Sequence, residues 1–164
     1  LSYLKHNLRD ALALTRQIAY RTFVSPQLEF AAPIWSPDQA YLIATLETVQ
    51  NHAASFIVRD YHRDSSVTSI KSFLSLYSFE SRRTIALLCL FHEIVISTRP
   101  SILPLTRTSR HLHNHPSFQH IICRTNAFNS SALPRAIQHW NNLPNDIVAI
   151  LDPVSFKARL CIFP

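Results

Sequence analysis

Apolar residues recur at helical spacing along much of the chain. The clearest stripe is Leu42, Leu46, Val49, Ala53 and Phe56, at steps of four, three, four and three. It puts five apolar side chains on one face of an α-helix over 42–57. Ser36 and Pro37 supply a start, a hydroxyl cap followed by a residue whose φ is already helical. An earlier helix is predicted from Asp10 to Val24, with Leu14 and Ile18 on one face and Tyr20 and Val24 beside it. Pro26 ends or restarts it, since proline lacks the N–H that an interior position needs. Leu28 to Ala32 reads as a further short helical turn stopped by Pro33.

The second half of the pattern is less regular. Ser66 to Leu74 reads as a short helix with Val67, Ile70 and Leu74 on one side. Ser78 caps a long helix reaching about Ser97, with Glu80 in its first turn, where the helix dipole favours an acid. Ile85, Leu88, His92 and Val95 form its stripe, and Leu87, Leu90, Phe91 and Ile94 add apolar groups on other sides. That predicts the most buried helix. After Arg99 and Pro100 the chain reads as irregular loop with two short strands, such as Phe118 to Arg124. Pro134 fits the first turn of a helix to about Asn141, in which Ile137 and Trp140 share a face, and Leu143-Pro144 breaks it. A last helix starts near Pro153, with Phe156, Leu160 and Phe163 inward. The expected fold is mainly α: a helical bundle over 1–98, a basic Pro/His-rich segment over 99–126, and a C-terminal helical extension over 127–164.

Composition narrows the chemistry. The 164 residues include no glycine and no methionine. About 11 or 12 glycines would be ordinary. Without them there is no P-loop, no dinucleotide fingerprint and no nucleophile elbow, because each needs a residue lacking Cβ. Asn-Gly hairpin turns are excluded too. The missing methionine marks the chain as a fragment, a processed piece or a conceptual translation. Cys89, Cys123 and Cys161 are odd in number and widely spaced, which reads as reduced thiols in an intracellular setting, nucleus or cytoplasm. The longest apolar run, Ile85 to Ile96, is broken by His92 and Glu93 and is too short for a bilayer, which needs roughly 20 residues. No membrane partner is expected.

Net charge is +6, and its distribution is uneven. Residues 1–98 hold nine Lys/Arg against eight Asp/Glu, whereas 99–164 hold seven against two. Thirteen of the sixteen basic residues are arginine, whose fork suits phosphate better than an ammonium does. Arg16 and Arg21 on the second predicted helix, Arg82 and Arg83 on the long one, and Arg124 and Arg135 in the acid-free stretch are the candidate nucleic-acid contacts. Ordinary solvated charge is the alternative reading. His111, His113 and His115 alternate, as metal ligands on a strand would. No Cys or carboxylate lies close, so exposed loop histidines are the reading adopted. Asp60 and Asp64 read as exposed charges, and with no Asp-Asp pair in the chain a two-metal centre is not visible. Trp35 and Trp140 read as core anchors, with base stacking as the alternative. No cofactor is expected.

Six strings then form an ordered set: AYRTFVSPQLEFAAPIWSP (19–37), LETVQNHAASFI (46–57), SSVTSI (65–70), SRRTIALLCLFHEI (81–94), CRTNAFNSSALPRAIQHWNNLPNDIV (123–148) and SFKARL (155–160). Together they resemble the region downstream of the polymerase palm in reverse transcriptases of LINE-type, non-LTR retrotransposons of the jockey-like group, over essentially the whole chain. The resemblance implies a thumb-like helical bundle and a C-terminal extension gripping an RNA/DNA template–primer duplex. It places the palm and the endonuclease upstream, so no polymerase residue is carried over and the chain is not an enzyme on its own. The alternatives are a degenerate relic and a helical interaction module that self-associates or docks a partner. The sequence departs from the family pattern at Ser25, His52 and Ser55, where arginine is common. It departs also near Ser75 and before Cys123, where glycine is common, so backbone strain or disorder is expected at these last two places.

Overall fold

The long stripes become helices, but the face they bury is set by specific polar contacts as well. A computed structural model describes residues 1–37, 39–62, 64–97 and 118–162. It is mainly α, and among the described residues there is no strand. Phe118 is a single bridge residue, so the expected strand from Phe118 to Arg124 does not form. The chain divides into two compact units, residues 1–32 with 37–82, and residues 33–36 with 83–164. The division falls inside one helix, between Arg82 and Arg83, whereas the boundary expected at residue 98 adjoins residues outside the description.

The first unit holds α1 (Ser2–Asn7), α2 (Ala13–Ala19), a π-helical turn (Tyr20–Val24), α3 (Ser25–Glu29), α5 (Ala40–Val58), α6 (Val67–Phe73) and the first residues of α7 (Phe79–Ser97). α4 (Ala32–Trp35) precedes α5. Tyr20, Ala53, Ala54, Phe56, Ile57, Leu74 and Leu76 form the core. The α5 stripe is buried most deeply at its Ala53 and Phe56 end. In α2 the expected Leu14–Ile18 face is the outer one, with those residues 66% and 56% exposed. Arg16 and Tyr20 are buried instead. The buried side steps from 16 to 20 to 25, and its five-residue step spans the π turn, which inserts one residue into the helical register.

Proline marks starts more than stops. Pro26 lies in the first turn of α3 and Pro33 in the first turn of α4, so Pro33 opens a helix instead of ending one. The bend between them is made by Ala31 at φ 51°. Ser36 does not cap α5, because the helix begins three residues beyond Pro37 with Gln39 in extended conformation as its N-cap. Ser78 caps as expected, accepting from the Ser81 amide at 3.1 Å, and Ser66, expected inside its helix, is instead the cap, accepting from the Ser69 amide at 3.4 Å.

Glycine's usual place after a helix is taken by other residues. Past α6, Leu76 N–H reaches Lys71 O at 2.9 Å and Ser75 N–H reaches Ser72 O at 3.1 Å. This is a Schellman closure, with Ser75 held at φ 52°. Past α5, Asp60 N–H reaches Ser55 O at 3.2 Å, with Arg59 at φ 64°. Strain therefore falls at Ser75 as expected, but no positive φ occurs in the described residues just before Cys123.

The second unit holds the rest of α7, α8 (Asn126–Asn129), α9 (Ala132–Asn141), α10 (Asn145–Val148) and α11 (Pro153–Ile162). Its core is aromatic. Phe91 meets Phe118 and Trp140 edge-on at 5.2 and 5.3 Å, and Phe156 stacks on His92 at 4.0 Å. His92 is buried, and its Nε2 donates to Ile150 O at 2.7 Å. Asn141 holds Phe118 from both sides, accepting from its N–H at 3.0 Å and donating to its carbonyl at 2.9 Å. The apolar stripe of α7 is buried at Leu88 and His92, but Leu90 and Ile94 remain on the surface. α10 follows Pro144 and was not expected; Phe163 lies outside the described residues.

A left-handed backbone costs a Cβ-bearing residue about 1–2 kcal/mol. Ser75→Gly should therefore stabilise the chain by about 1 kcal/mol, after allowing for glycine's larger unfolded-state entropy. Urea unfolding with an unchanged slope and a higher midpoint checks this.

Candidate nucleic-acid interface

The six arginines singled out by sequence are divided between the two units. Arg16, Arg21 and Arg82 lie in the first unit, and Arg83, Arg124 and Arg135 in the second. Arg21 Nη2 donates to Leu74 O at 2.8 Å, beside Gln17 Nε2 at 3.1 Å, so both close the end of α6. Arg83 is 3% exposed and lies 4.9 Å over the Trp35 ring. Trp35 is consequently a half-exposed stacking partner of an arginine and not a core anchor, whereas Trp140 is core. Arg135 donates to Ser36 O at 3.3 Å. Arg124 is exposed.

Arg82 is the most engaged. Its Nη1 pairs with Glu29 Oε1 and donates to Ser25 Oγ at 2.9 Å, and its Nη2 donates to Gln50 Oε1 at 3.1 Å. Ser25 Oγ donates onward to Glu29 at 2.6 Å. The guanidinium also lies 4.5 Å over the Phe79 ring. Gln50 is fully buried, and its Nε2 donates to Tyr77 O at 2.8 Å. One turn earlier on α5, Glu47 accepts from the Phe79 N–H at 2.6 Å and pairs with Lys71 at 3.4 Å. Arg82 is thus a structural tie and is not free to meet a phosphate. Burial pushes the Tyr20 phenol up, and Arg82 beside it pulls the other way.

A basic hollow forms elsewhere in the first unit. Arg16, 4% exposed, and Phe56 form its floor, with Arg16 Nη1 donating to Phe56 O at 2.6 Å. Lys5, Arg9, Asp10, Arg59 and Tyr61 complete a concavity of about 520 Å³. Four cations thus face one acid, and that acid is already paired with Arg59 at 3.3 Å. Burial and the neighbouring Arg59 lower the Arg16 guanidinium from its ordinary value. A second hollow of about 340 Å³ shares Lys5 and Tyr61 and adds His52, Ser55, Asp60 and His62. Hydrogen bonds from Ser65 and the His62 N–H hold the Asp60 carboxyl below its ordinary value, so it stays charged.

Of the sequence candidates only Arg16 belongs to this groove. Lys5, Arg9, Arg59, Tyr61, His52 and His62 were missed. The legible signal was the four-residue step from Lys5 to Arg9; Arg59 was placed by its left-handed turn, which no spacing reveals. His111, His113 and His115 lie outside the described residues. Among the described residues no cluster of three or more His, Cys, Asp or Glu could hold a metal, and no helix is long and apolar enough to cross a membrane. No protein-family model, curated protein or solved structure matches the chain.

Removing one partner from a buried ion pair leaves the other uncompensated, at roughly 3–5 kcal/mol. Arg82 is partly exposed, so Arg82→Met should cost about 2 kcal/mol in denaturant unfolding, whereas Arg124→Ala should change stability by under about 0.5 kcal/mol. The Tyr20 phenol titrates above its ordinary value in the fold, so its stabilising contribution is complete below the ordinary tyrosine range. It is lost as pH rises through the raised value. Tyr20→Phe should flatten that alkaline loss, measured by unfolding midpoints across pH 8–12.

Proposed function

We propose that this chain is a non-catalytic stretch of a LINE-type, non-LTR retrotransposon reverse transcriptase from the region downstream of the palm. Its part there is to hold an RNA/DNA template–primer duplex by its backbone. The observation that carries the reading is the ordered set of six strings. Their assembly supports it. Glu29 from the first string, Gln50 from the second and Arg82 from the fourth meet in one hydrogen-bonded network. Phe91, Trp140 and Phe156, from the fourth, fifth and sixth, share one aromatic core. The strings therefore co-occur as parts that lock together, which separate chance matches need not do.

The basic groove supplies the contact that such a role requires. Phosphate neutralisation provides most of the sequence-independent affinity for nucleic acid. His52 and Ser55, two of the positions where the resembled family commonly has arginine, both line the second hollow. The copy in hand has a weaker version of the surface that the resemblance implies. A second reading is favoured by Leu12, Leu14, Ile18 and Phe23, which are all more than half exposed around α2. Such apolar surface suits docking or self-association. A clean monomer by light scattering at high concentration would sink that alternative.

Fluorescence anisotropy with a labelled RNA/DNA hybrid tests the main reading. Binding should be independent of sequence and weaken steeply between 50 and 200 mM salt. Lys5→Ala with Arg9→Ala should lower the log–log salt slope by up to about two, and His52→Arg with Ser55→Arg should raise affinity. Absence of binding at 50 mM salt overturns the proposal.

A further inference from the structure

The first hollow has a feature that general backbone binding does not call for. Arg16 is almost wholly buried at its floor, yet no carboxylate pairs with it among the described residues. Only Nη1 has a protein acceptor, and Nε, also buried, has none among the described residues. A buried charge is normally paired. Lys5 and Arg9, toward the mouth, likewise have no ion-pair partner among the described residues. At about 520 Å³ the hollow is within the range of small-ligand sites.

We infer that this hollow is a receptor for a phosphate monoester, the terminal phosphate of a nucleotide or of a nucleic-acid strand. A terminal phosphate carries nearly two charges at neutral pH and three acceptor oxygens. It can be inserted to the floor, where Arg16 waits, with Lys5 and Arg9 closing on its remaining oxygens. An internal phosphodiester has one charge and two free oxygens, and its chain must continue on both sides, which keeps it at the rim. Tyr61, 63% exposed beside Lys5, is placed to stack on the first base or its sugar. The ligand choice rests on the nucleic-acid reading above, but the anion chemistry of the pocket stands on Arg16, Lys5 and Arg9.

Two arms separate the readings. In the first, a labelled single strand bearing a 5′-phosphate is compared with a 5′-hydroxyl strand two nucleotides longer, which matches its charge to within a fraction of a unit. The phosphorylated strand should bind about tenfold more tightly, as expected for new charge-assisted hydrogen bonds. Lys5→Ala with Arg9→Ala should erase the preference while circular dichroism stays unchanged. Arg16→Gln should erase it too, but that site is buried, so the rim variant carries the decision. In the second arm, AMP, adenosine and inorganic phosphate are titrated by calorimetry. AMP should bind and adenosine should not, and inorganic phosphate alone should bind more weakly than AMP if Tyr61 contributes. Equal affinity for the two strand ends, or a preference that survives the rim variant, overturns the inference and leaves duplex binding standing. AMP binding without duplex binding supports the pocket and sinks the interface.

Discussion

The first unit depends on how one guanidinium is satisfied. Arg82 is largely withdrawn from water, so its donors need acceptors in place, and both Nη atoms have them, although the buried Nε has none among the described residues. Glu29 supplies the counter-charge, and Ser25 and Gln50 supply neutral acceptors. These groups come from α3, α5 and α7, far apart in sequence. Gln50 passes the constraint on to the Tyr77 carbonyl, and Glu47 holds the first amide of α7. Helix ends that would otherwise carry unsatisfied N–H and C=O groups are thereby docked in register. A network of this kind specifies one arrangement more than it adds stability, because half-satisfied alternatives are worse than none.

The absence of glycine is tolerated because helix-ending turns can be filled by other residues at modest cost. Ser75 and Arg59 both take the left-handed position after a helix. At Ser75 the substitution brings only strain. At Arg59 it also brings a cation to the end of α5, where the helix dipole favours positive charge, and into the wall of the basic hollow. Glycine there would close the same turn and leave the hollow one charge poorer. The zero in the composition thus has different consequences at two equivalent turns.

Much of the fold was legible in the sequence, and the failures have identifiable causes. α5, α6, α7, α9 and α11 follow from apolar spacing and from Ser78 as a cap, both of which are local. The buried face of α2 was not legible. The π turn adds a residue without any composition signal, and the buried Arg16 and Tyr20 are set by distant neighbours, Arg16 by the Phe56 carbonyl and Tyr20 by packing in the core with Ala53, Ile57 and Leu74. Pro33 has the same chemistry whether it stops one helix or starts the next, and Ala31's backbone decided which. The site was less legible still. Arginine type and local charge density selected Arg82 and Arg21, whose Nη donors are already committed to the fold, and Arg83, which is buried over the Trp35 ring. They passed over Lys5, Arg9 and Arg59, which approach one another only once α1 and the end of α5 are both in place.

Arg16 and Arg82 show why charge in a sequence is a poor guide to a binding surface. Both are arginines on helices of the same unit, and both are mostly withdrawn from solvent. Arg82 has a carboxylate and two further acceptors, so an incoming anion would have to displace all of them and would gain little. Arg16 has one carbonyl, the Phe56 ring at 5.6 Å, a cationic neighbour in Arg59 and no counter-ion among the described residues. A neutral carbonyl and a ring offset only part of its desolvation, so an anion there would have more to gain than at Arg82. What a composition count cannot rank is pairing, because pairing is a property of three-dimensional neighbours.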